Sequence, residues 1–295
     1  MVRNQLRIIP IMIIFSLIIS NLEATDDRYK KLWKDVETLE QKGLPKSALE
    51  KTDEIYKLAM SEKNEQQIVK TLIYKLKYEC QLDEKGTELA IQKTQQNIEK
   101  STGITKSFMY LLLAYEYKSY YSQNSWTINQ RSTTNNFESE GGFEFWDKTK
   151  FQDVVIKNAF MALDESLKKE KIENYEVLIN NAEFVPETFP TLYDFMAYFI
   201  LENLFANENR YYYGNNSSDK LTDNQLLDDI TAFTKMDLSK IDTLSYTQNA
   251  VLVYQKWLNW RSQNQNQKEA LIATDLRRLK FVHKILVQST KINSA

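Results

Sequence analysis

The sequence has 295 residues, with 38 lysines and arginines, 40 aspartates and glutamates, and a formal net charge of −2 at pH 7. A chain so nearly neutral has no overall electrostatic attraction to nucleic acid or anionic lipid, so neither is an expected partner. It has only 6 glycines and 4 prolines. This scarcity of turn residues favours long helices joined by short connections over a sheet protein.

The first 24 residues have the layout of a secretory signal peptide. Arg3 and Arg7 precede the apolar run 8–19, and the polar residues that follow end at Ala24. This pattern predicts cleavage near Ala24 and an exported protein of the periplasm or cell envelope, or an extracellular one. The alternative is an uncleaved segment, which would be the only membrane attachment. The run is short for a spanning helix, which needs about 20 apolar residues.

Residues 25–121 show the apolar period of α-helices. Gly43 is expected to end the first helix and Pro45 to begin the second. The segment 48–52 (ALEKT) recurs as 90–94 (AIQKT). A repeat of roughly 40 residues is typical of stacked helical hairpins, as in tetratricopeptide and related arrays. We therefore predict an all-α, tetratricopeptide-like helical-hairpin array.

Two polar, Asn-rich stretches predict long loops near residues 122–145 and 207–221. Between and after them, residues 146–295 are expected to form a second helical part that packs on the first. An apolar helix is predicted at 191–205 and a last helix at about 268–290. Between them, Thr222 and Ser245 begin capping boxes, which predict helices at about 223–235 and 246–262.

The sequence offers few groups suited to catalysis. Its single histidine, His283, falls on an apolar stripe of the last helix, which predicts a core or interface position. The single cysteine, Cys80, also falls on an apolar stripe and is expected to be buried. The sequence contains neither a Cys/His metal motif nor a Gly-rich phosphate loop. Carboxylate pairs such as Asp228 and Asp229 resemble ordinary surface charge. We therefore expect a protein that is not an enzyme and has no metal or cofactor.

The 17 tyrosines are the most unusual feature of the composition. Those between residues 110 and 121 are expected to pack between helices. The loop tyrosines at 211–213 are open to either packing or binding, because exposed aromatic rings stack on sugars and on partner proteins. The candidate binding surface consists of Trp126, Arg131, Tyr211, Tyr212 and Tyr213.

Three segments add a family signal. They read YKKLWKDVE (29–37, followed by KGLPKSAL at 42–49), YYSQNSWTINQR (120–131) and FPTLYDFMA (189–197). In this order they resemble the N-terminal helical region of bacterial alpha-2-macroglobulin family proteins, although Phe189 stands where that family has Arg. The resemblance covers roughly residues 29–200. It implies that residues 119–132 are a structural corner where a packed helix meets a loop.

The resemblance also implies a function, and it has a limit. Family members are several times longer and carry β-sandwich domains, a bait region and often a thioester, whose motif the residues around Cys80 do not match. What it implies is a non-catalytic, exported helical scaffold or protein-interaction domain, either part of such a protein or a stand-alone relative. Partners would be the rest of a macroglobulin-like chain, proteases or envelope proteins. The alternative hypothesis is a carbohydrate-binding helical-repeat protein, with Trp126 and Tyr211–Tyr213 as stacking platforms.

Overall fold

A computed structural model describes residues 27–131, 142–179, 184–205, 224–239, 241–264 and 266–293. Within these ranges the only β-pairing is an isolated bridge between Lys171 and Thr191, so the predicted all-α class is confirmed. The α-helices of the described residues are α1 (Asp27–Gln41), α2 (Pro45–Glu62), α3 (Glu65–Leu82), α4 (Gly86–Lys100), α5 (Gly103–Ile128), α6 (Lys148–Ala162), α7 (Leu192–Phe199), α8 (Ile230–Lys235), α9 (Tyr246–Ser262) and α10 (Lys268–Asn293). Short 3-10 helices cover Phe143–Phe145, Glu165–Lys169, Ile172–Tyr175 and Asn224–Leu227, and a π-helix, Ile200–Phe205, continues α7.

The first five helices form the predicted hairpin array, in which each helix contacts the next and α3 also contacts α5. Gly43 closes α1 in a left-handed conformation (φ 68°), and its amide donates to the carbonyl oxygen of Glu40 at 2.9 Å. Pro45 is the first residue of α2, where its missing N–H costs nothing. Both boundaries match the prediction. The tetratricopeptide type of the repeat stays a prediction.

The two copies of the short repeat lie on α2 and α4. Ala48 and Thr52 on α2, and Ala90 and Thr94 on α4, are all almost completely buried. Small side chains at these positions let neighbouring helices approach closely. The repeated letters therefore mark equivalent packing positions in successive hairpins.

The prediction that a loop begins at residue 122 is wrong. Helix α5 continues to Ile128, because Tyr120 and Ile128 are buried on one side of it while the polar residues between them face outward. Asn and Ser have low helix propensity, and here tertiary packing outweighs it. At the other end of the predicted loop, Phe143–Phe145 forms a 3-10 helix. The region 132–141 and the predicted loop at 207–221 lie outside the described residues.

The prediction of one continuous helix at 223–235 is also wrong, because two short elements replace it. A 3-10 helix covers Asn224–Leu227, and α8 starts only at Ile230. The side chain of Asp229 caps α8 by accepting hydrogen bonds from the amides of Thr231 (2.8 Å) and Ala232 (3.0 Å). The cap predicted at Thr222 lies outside the described residues, whereas Ser245 caps α9 as predicted, through the amide of Gln248.

Helix α7 and the π-helix after it form the apolar central element that the sequence predicts. Phe195 and Phe199 of α7 pack on Phe108 and Tyr115 of α5, with ring centroids 6.2 Å apart in each pair. The ammonium group of Lys118, also on α5, donates to the carbonyl oxygen of Asn203 at 3.0 Å. A cation thus satisfies backbone acceptors near the end of the central element. Through these contacts the second helical part packs on the hairpin array.

Candidate functional site

The corner around residues 119–131 shows where Arg131 lies. Its guanidinium Nη1 donates to the carbonyl oxygen of Trp146 at 2.5 Å. Around this bond, the ring of Phe143 meets Tyr120 edge-on at 5.2 Å, and the ring of Trp146 meets Phe151 at 5.5 Å. Arg131 therefore fastens the 3-10 segment to the end of α5, which is a structural contact rather than an open binding group.

Trp126 lies on the same corner and faces solvent. Its side chain is 77% exposed, and that of Phe145, in the 3-10 segment, is 72% exposed. Among the five predicted binding residues, the structure brings Trp126 and Arg131 to one corner but gives them different environments. Tyr211, Tyr212 and Tyr213 lie outside the described residues. The tyrosines of α5 at positions 115, 117 and 120 are buried, so their predicted role in helix packing is confirmed.

A buried ion pair joins α7 to α9. Asp194 and Arg261 have no exposed side-chain surface, and the Arg261 guanidinium bonds to both carboxylate oxygens. Trp257 Nε1 donates to Oδ1 at 2.7 Å. The amide and hydroxyl of Thr191 donate to Oδ2 at 2.9 and 2.7 Å, completing a capping box at the start of α7. The carboxylate is saturated with donors, so the geometry fits a structural centre and leaves no acceptor free for a substrate.

An open pocket lies beside this ion pair, with a volume of about 610 Å³. The ammonium group of Lys168 lies 4.8 Å from the ring centroid of Tyr193 and 5.4 Å from that of Trp260, and it pairs with Glu165 at 2.6 Å. The Glu165 carboxylate in the pocket is thus already paired with the Lys168 ammonium group. The remaining lining is polar and comes from Ser166, Lys169, Asn264 and Gln267. Nothing in this arrangement resembles an acid–base pair.

Two further titratable groups are buried within the hairpin array. Glu116 on α5 is 4% exposed and accepts a hydrogen bond from the Thr94 hydroxyl at 3.1 Å, while its Oε2 has no hydrogen-bond partner among the described residues. Burial raises the pKa of Glu116 to about 8, which keeps it protonated at neutral pH. Lys70 on α3 lies 4.3 Å from the ring centroid of Trp33, and burial lowers its pKa to about 8.

Cys80 is buried on α3, as the sequence predicts. Burial raises the pKa of its thiol, with Glu116 as the largest charged contributor. Because the thiolate is the reactive species, we expect Cys80 to react with Ellman's reagent at pH 8 at least about 100-fold more slowly in the folded protein than in guanidinium. Equal rates in the two conditions would contradict the buried placement.

The described residues include neither a membrane-spanning helix nor a metal centre. None of the helices searched there is both long and apolar enough to cross a bilayer. In the same residues no group of three or more His, Cys, Asp and Glu side chains is placed to hold a metal ion.

The last helix, α10, carries two different faces. Its inner face consists of Ala270, Thr274, Arg278, Val282 and Ile285, all buried. The Arg278 guanidinium fastens this face by donating to the carbonyl oxygens of Leu226 (2.6 Å) and Asp228 (2.9 Å). These contacts therefore fix the rotation of α10 about its own axis relative to the rest of the protein.

The opposite face of α10 is apolar and points outward. It consists of Ile272 (66% exposed), Leu276 (50%), Val287 (39%), the half-buried Leu279 and the exposed His283. We call these five residues the outer stripe. In chain order, Ile272, Leu276, Leu279 and His283 alternate at spacings of four and three residues, which is the spacing of a coiled-coil seam. Among the described residues, three exposed large hydrophobic side chains lie on α10, more than on any other helix.

The exposed position of His283 rules out one of the two positions that the sequence predicted for it. The prediction placed it in the core or in an interface, and the core alternative is wrong because His283 is exposed. Helix α10 has two stripes with apolar character, and the one that is more apolar in sequence faces outward. Thr274 and Arg278 interrupt the inner stripe, and Arg278 is buried only because carbonyl acceptors meet it.

Comparisons with known proteins were negative: no protein-family model, curated protein or solved structure matches the chain. The resemblance to the alpha-2-macroglobulin family therefore stays a prediction drawn from the three segments.

Proposed function

We propose that this chain is a non-catalytic helical scaffold that binds a protein partner through the outer stripe of α10. One observation carries the proposal: a contiguous apolar stripe is exposed on a helix whose other face is already packed. Contiguous apolar surface of this kind marks interaction sites, because leaving it in water is unfavourable.

Rotation of α10 would not cover the outer stripe. Turning the helix inward would break both Arg278 bonds to the carbonyls of Leu226 and Asp228. It would also bring Val282, now completely buried, into water. Covering the stripe therefore requires something outside the described fold, and a protein surface with apolar side chains fits this need.

The wider assignment is part of the same proposal. We propose that the protein is exported, acts in the cell envelope, and is related to the N-terminal helical region of alpha-2-macroglobulin family proteins. The burial of Tyr29, Trp33 and Asp194, which lie in the resembling segments, supports a structural role for those segments. Partners of this class are the rest of a macroglobulin-like chain, proteases or envelope proteins. The carbohydrate hypothesis has narrower support, since Trp126 is the one platform within the described residues.

A matched pair of substitutions separates binding from folding. We expect Leu276→Ser to change the free energy of unfolding by less than about 0.5 kcal/mol, because the side chain is half exposed and faces outward. The matched change Val282→Ser, on the inner face of the same helix, is expected to cost about 2–4 kcal/mol. Urea denaturation measures both values. Equal losses in the two variants would mean that the outer stripe is part of the core.

Photo-crosslinking tests the proposal itself. A photoreactive residue at position 276 is expected to give a discrete protein adduct in the cells that produce the protein, and the same residue at Met161, an exposed apolar position on α6, is not. Ile272→Asp is expected to remove the adduct at 276. The absence of an adduct at 276, or equal labelling from both positions, would overturn the proposal.

A further inference from the structure

We propose that the partner of the outer stripe is a single α-helix that has an apolar seam and acidic side chains along its edge. This inference rests on the proposed function and adds the chemistry of the partner. It follows from the spacing of the stripe, from the charges at its border, and from the poor fit of a second copy.

The spacing of the stripe matches a helix. Ile272, Leu276, Leu279 and His283 alternate at four and three residues, so their side chains form a narrow seam that another helix can match along its length. From residue 272 to residue 287 the seam is roughly 22 Å long, at about 1.5 Å per residue. That length suits a partner helix of about four turns.

One edge of the stripe is basic. Lys280 and Lys284 are exposed at one edge, and within the described residues neither has an ion pair. The nearest acid on the helix, Asp275, is already paired with Arg278 at 2.7 Å. Glu269, at the start of α10, is 11 residues from Lys280, which is about 16 Å along the axis. Acidic side chains on a partner helix would meet these two lysines.

A second copy of this chain fits less well, because it would present the same lysines. Residue 280 lies at the middle of the outer stripe. In an antiparallel pair of α10 helices the two Lys280 side chains would therefore meet near the two-fold axis. Like charges that meet in this way are unfavourable. A parallel, in-register pair would instead place His283 against His283, and a polar ring in an apolar seam lowers the stability of the pair.

An anionic membrane is the other surface that attracts a basic, apolar helix. Helices that lie in a bilayer interface use a broad apolar face, often with Trp and Phe, and bury it about 5–10 Å deep. The outer stripe is narrow and has no aromatic ring other than the imidazole of His283. The α10 helix is also held flush against the protein by Arg278. These features favour a helical partner.

Two synthetic probes test the inference. Both are 18-residue peptides with the same Leu and Ile seam, and one has Glu and the other Lys at the flanking positions. We expect the purified protein to bind the Glu peptide roughly tenfold more tightly by fluorescence anisotropy, with affinity falling as salt rises. The Lys280→Glu/Lys284→Glu variant is expected to reverse the preference. The matched control Lys31→Glu/Lys34→Glu, at exposed positions on α1, is expected to preserve it.

The other outcomes overturn the inference in distinguishable ways. One such outcome is equal binding of both peptides, and another is binding of neither peptide while the crosslink at 276 persists. Either would leave the proposed function intact and would contradict an acidic helix as the partner. A dimer in sedimentation velocity that Leu276→Ser dissociates would make a second copy the partner. Binding to phosphatidylglycerol vesicles that requires Leu276 would make the partner a membrane.

Discussion

The Asp194→Asn variant is expected to lose about 3–5 kcal/mol of its free energy of unfolding. The substitution keeps the size of the side chain but removes the charge that neutralises Arg261, which is completely buried. It also replaces one acceptor oxygen by an NH₂ group, which would face Arg261 together with either Trp257 or Thr191, all of them donors. A buried charge without its partner costs more than the lost hydrogen bonds alone.

Urea denaturation of a double-mutant cycle measures this effect. Arg261→Met is expected to destabilise the fold by a similar amount, because it leaves the Asp194 carboxylate buried and unpaired. The double variant is expected to lose much less than the sum of the two, since it removes both charges together. The control is the i,i+4 pair of Lys157 and Asp153 on α6, whose lysine is exposed, and Asp153→Asn is expected to cost less than about 1 kcal/mol. A loss below 1 kcal/mol in Asp194→Asn would show that the pair is unimportant for stability.

Glu116→Gln is expected to change how stability depends on pH. The folded pKa of Glu116, about 8, lies above its ordinary value of 4.5 because the carboxyl group is buried. Between these values the folded protein holds a proton that the unfolded chain releases, so wild-type stability falls as the pH rises from about 4.5 to 8. Gln cannot ionise, and the variant avoids this loss. Relative to wild type, we expect it to gain roughly 3–5 kcal/mol between pH 4 and pH 9.

The free energy of unfolding at pH 4, 7 and 9, measured with urea, checks this prediction. The same change at an exposed position of α4, Glu99→Gln, is the control. Glu116→Gln also changes the free energy of unfolding by an amount that does not depend on pH, because the amide must fit beside Thr94. The quantity to compare is therefore the change in the free energy of unfolding between pH 4 and pH 9 in each protein. Parallel pH profiles for wild type and Glu116→Gln would mean that the carboxyl group reaches water.

Helix boundaries set by local backbone chemistry were predictable from the sequence. Gly43 ends α1 because its left-handed conformation suits glycine, and Ser245 begins α9 through its own side chain. Boundaries that depend on distant contacts were not. The end of α5 depends on the burial of Ile128, and the start of α8 at Ile230 depends on which of several Asp and Thr residues acts as the cap.

The candidate site was less predictable than the fold. The sequence pointed to Trp126 and Arg131, and the structure places Arg131 in a structural hydrogen bond with the Trp146 carbonyl. The outer stripe was visible as an apolar pattern on the last helix, but the pattern alone predicted a core or an interface for His283. Its outward direction follows from Arg278, whose charged side chain would not be predicted to lie inside.

The sequence by itself determined the all-α class, the hairpin order of the first helices and the burial of Cys80, because helical period and turn residues act within a few positions. The tertiary structure alone decided which groups meet across long separations. Asp194 and Arg261 are 67 residues apart, and Arg278 reaches the carbonyl of Leu226 from 52 residues away. A charged side chain is buried only where hydrogen-bond acceptors or an opposite charge lie close to it in space. Such contacts hold Arg278 inside, and they therefore decide which face of α10 is exposed to a partner protein.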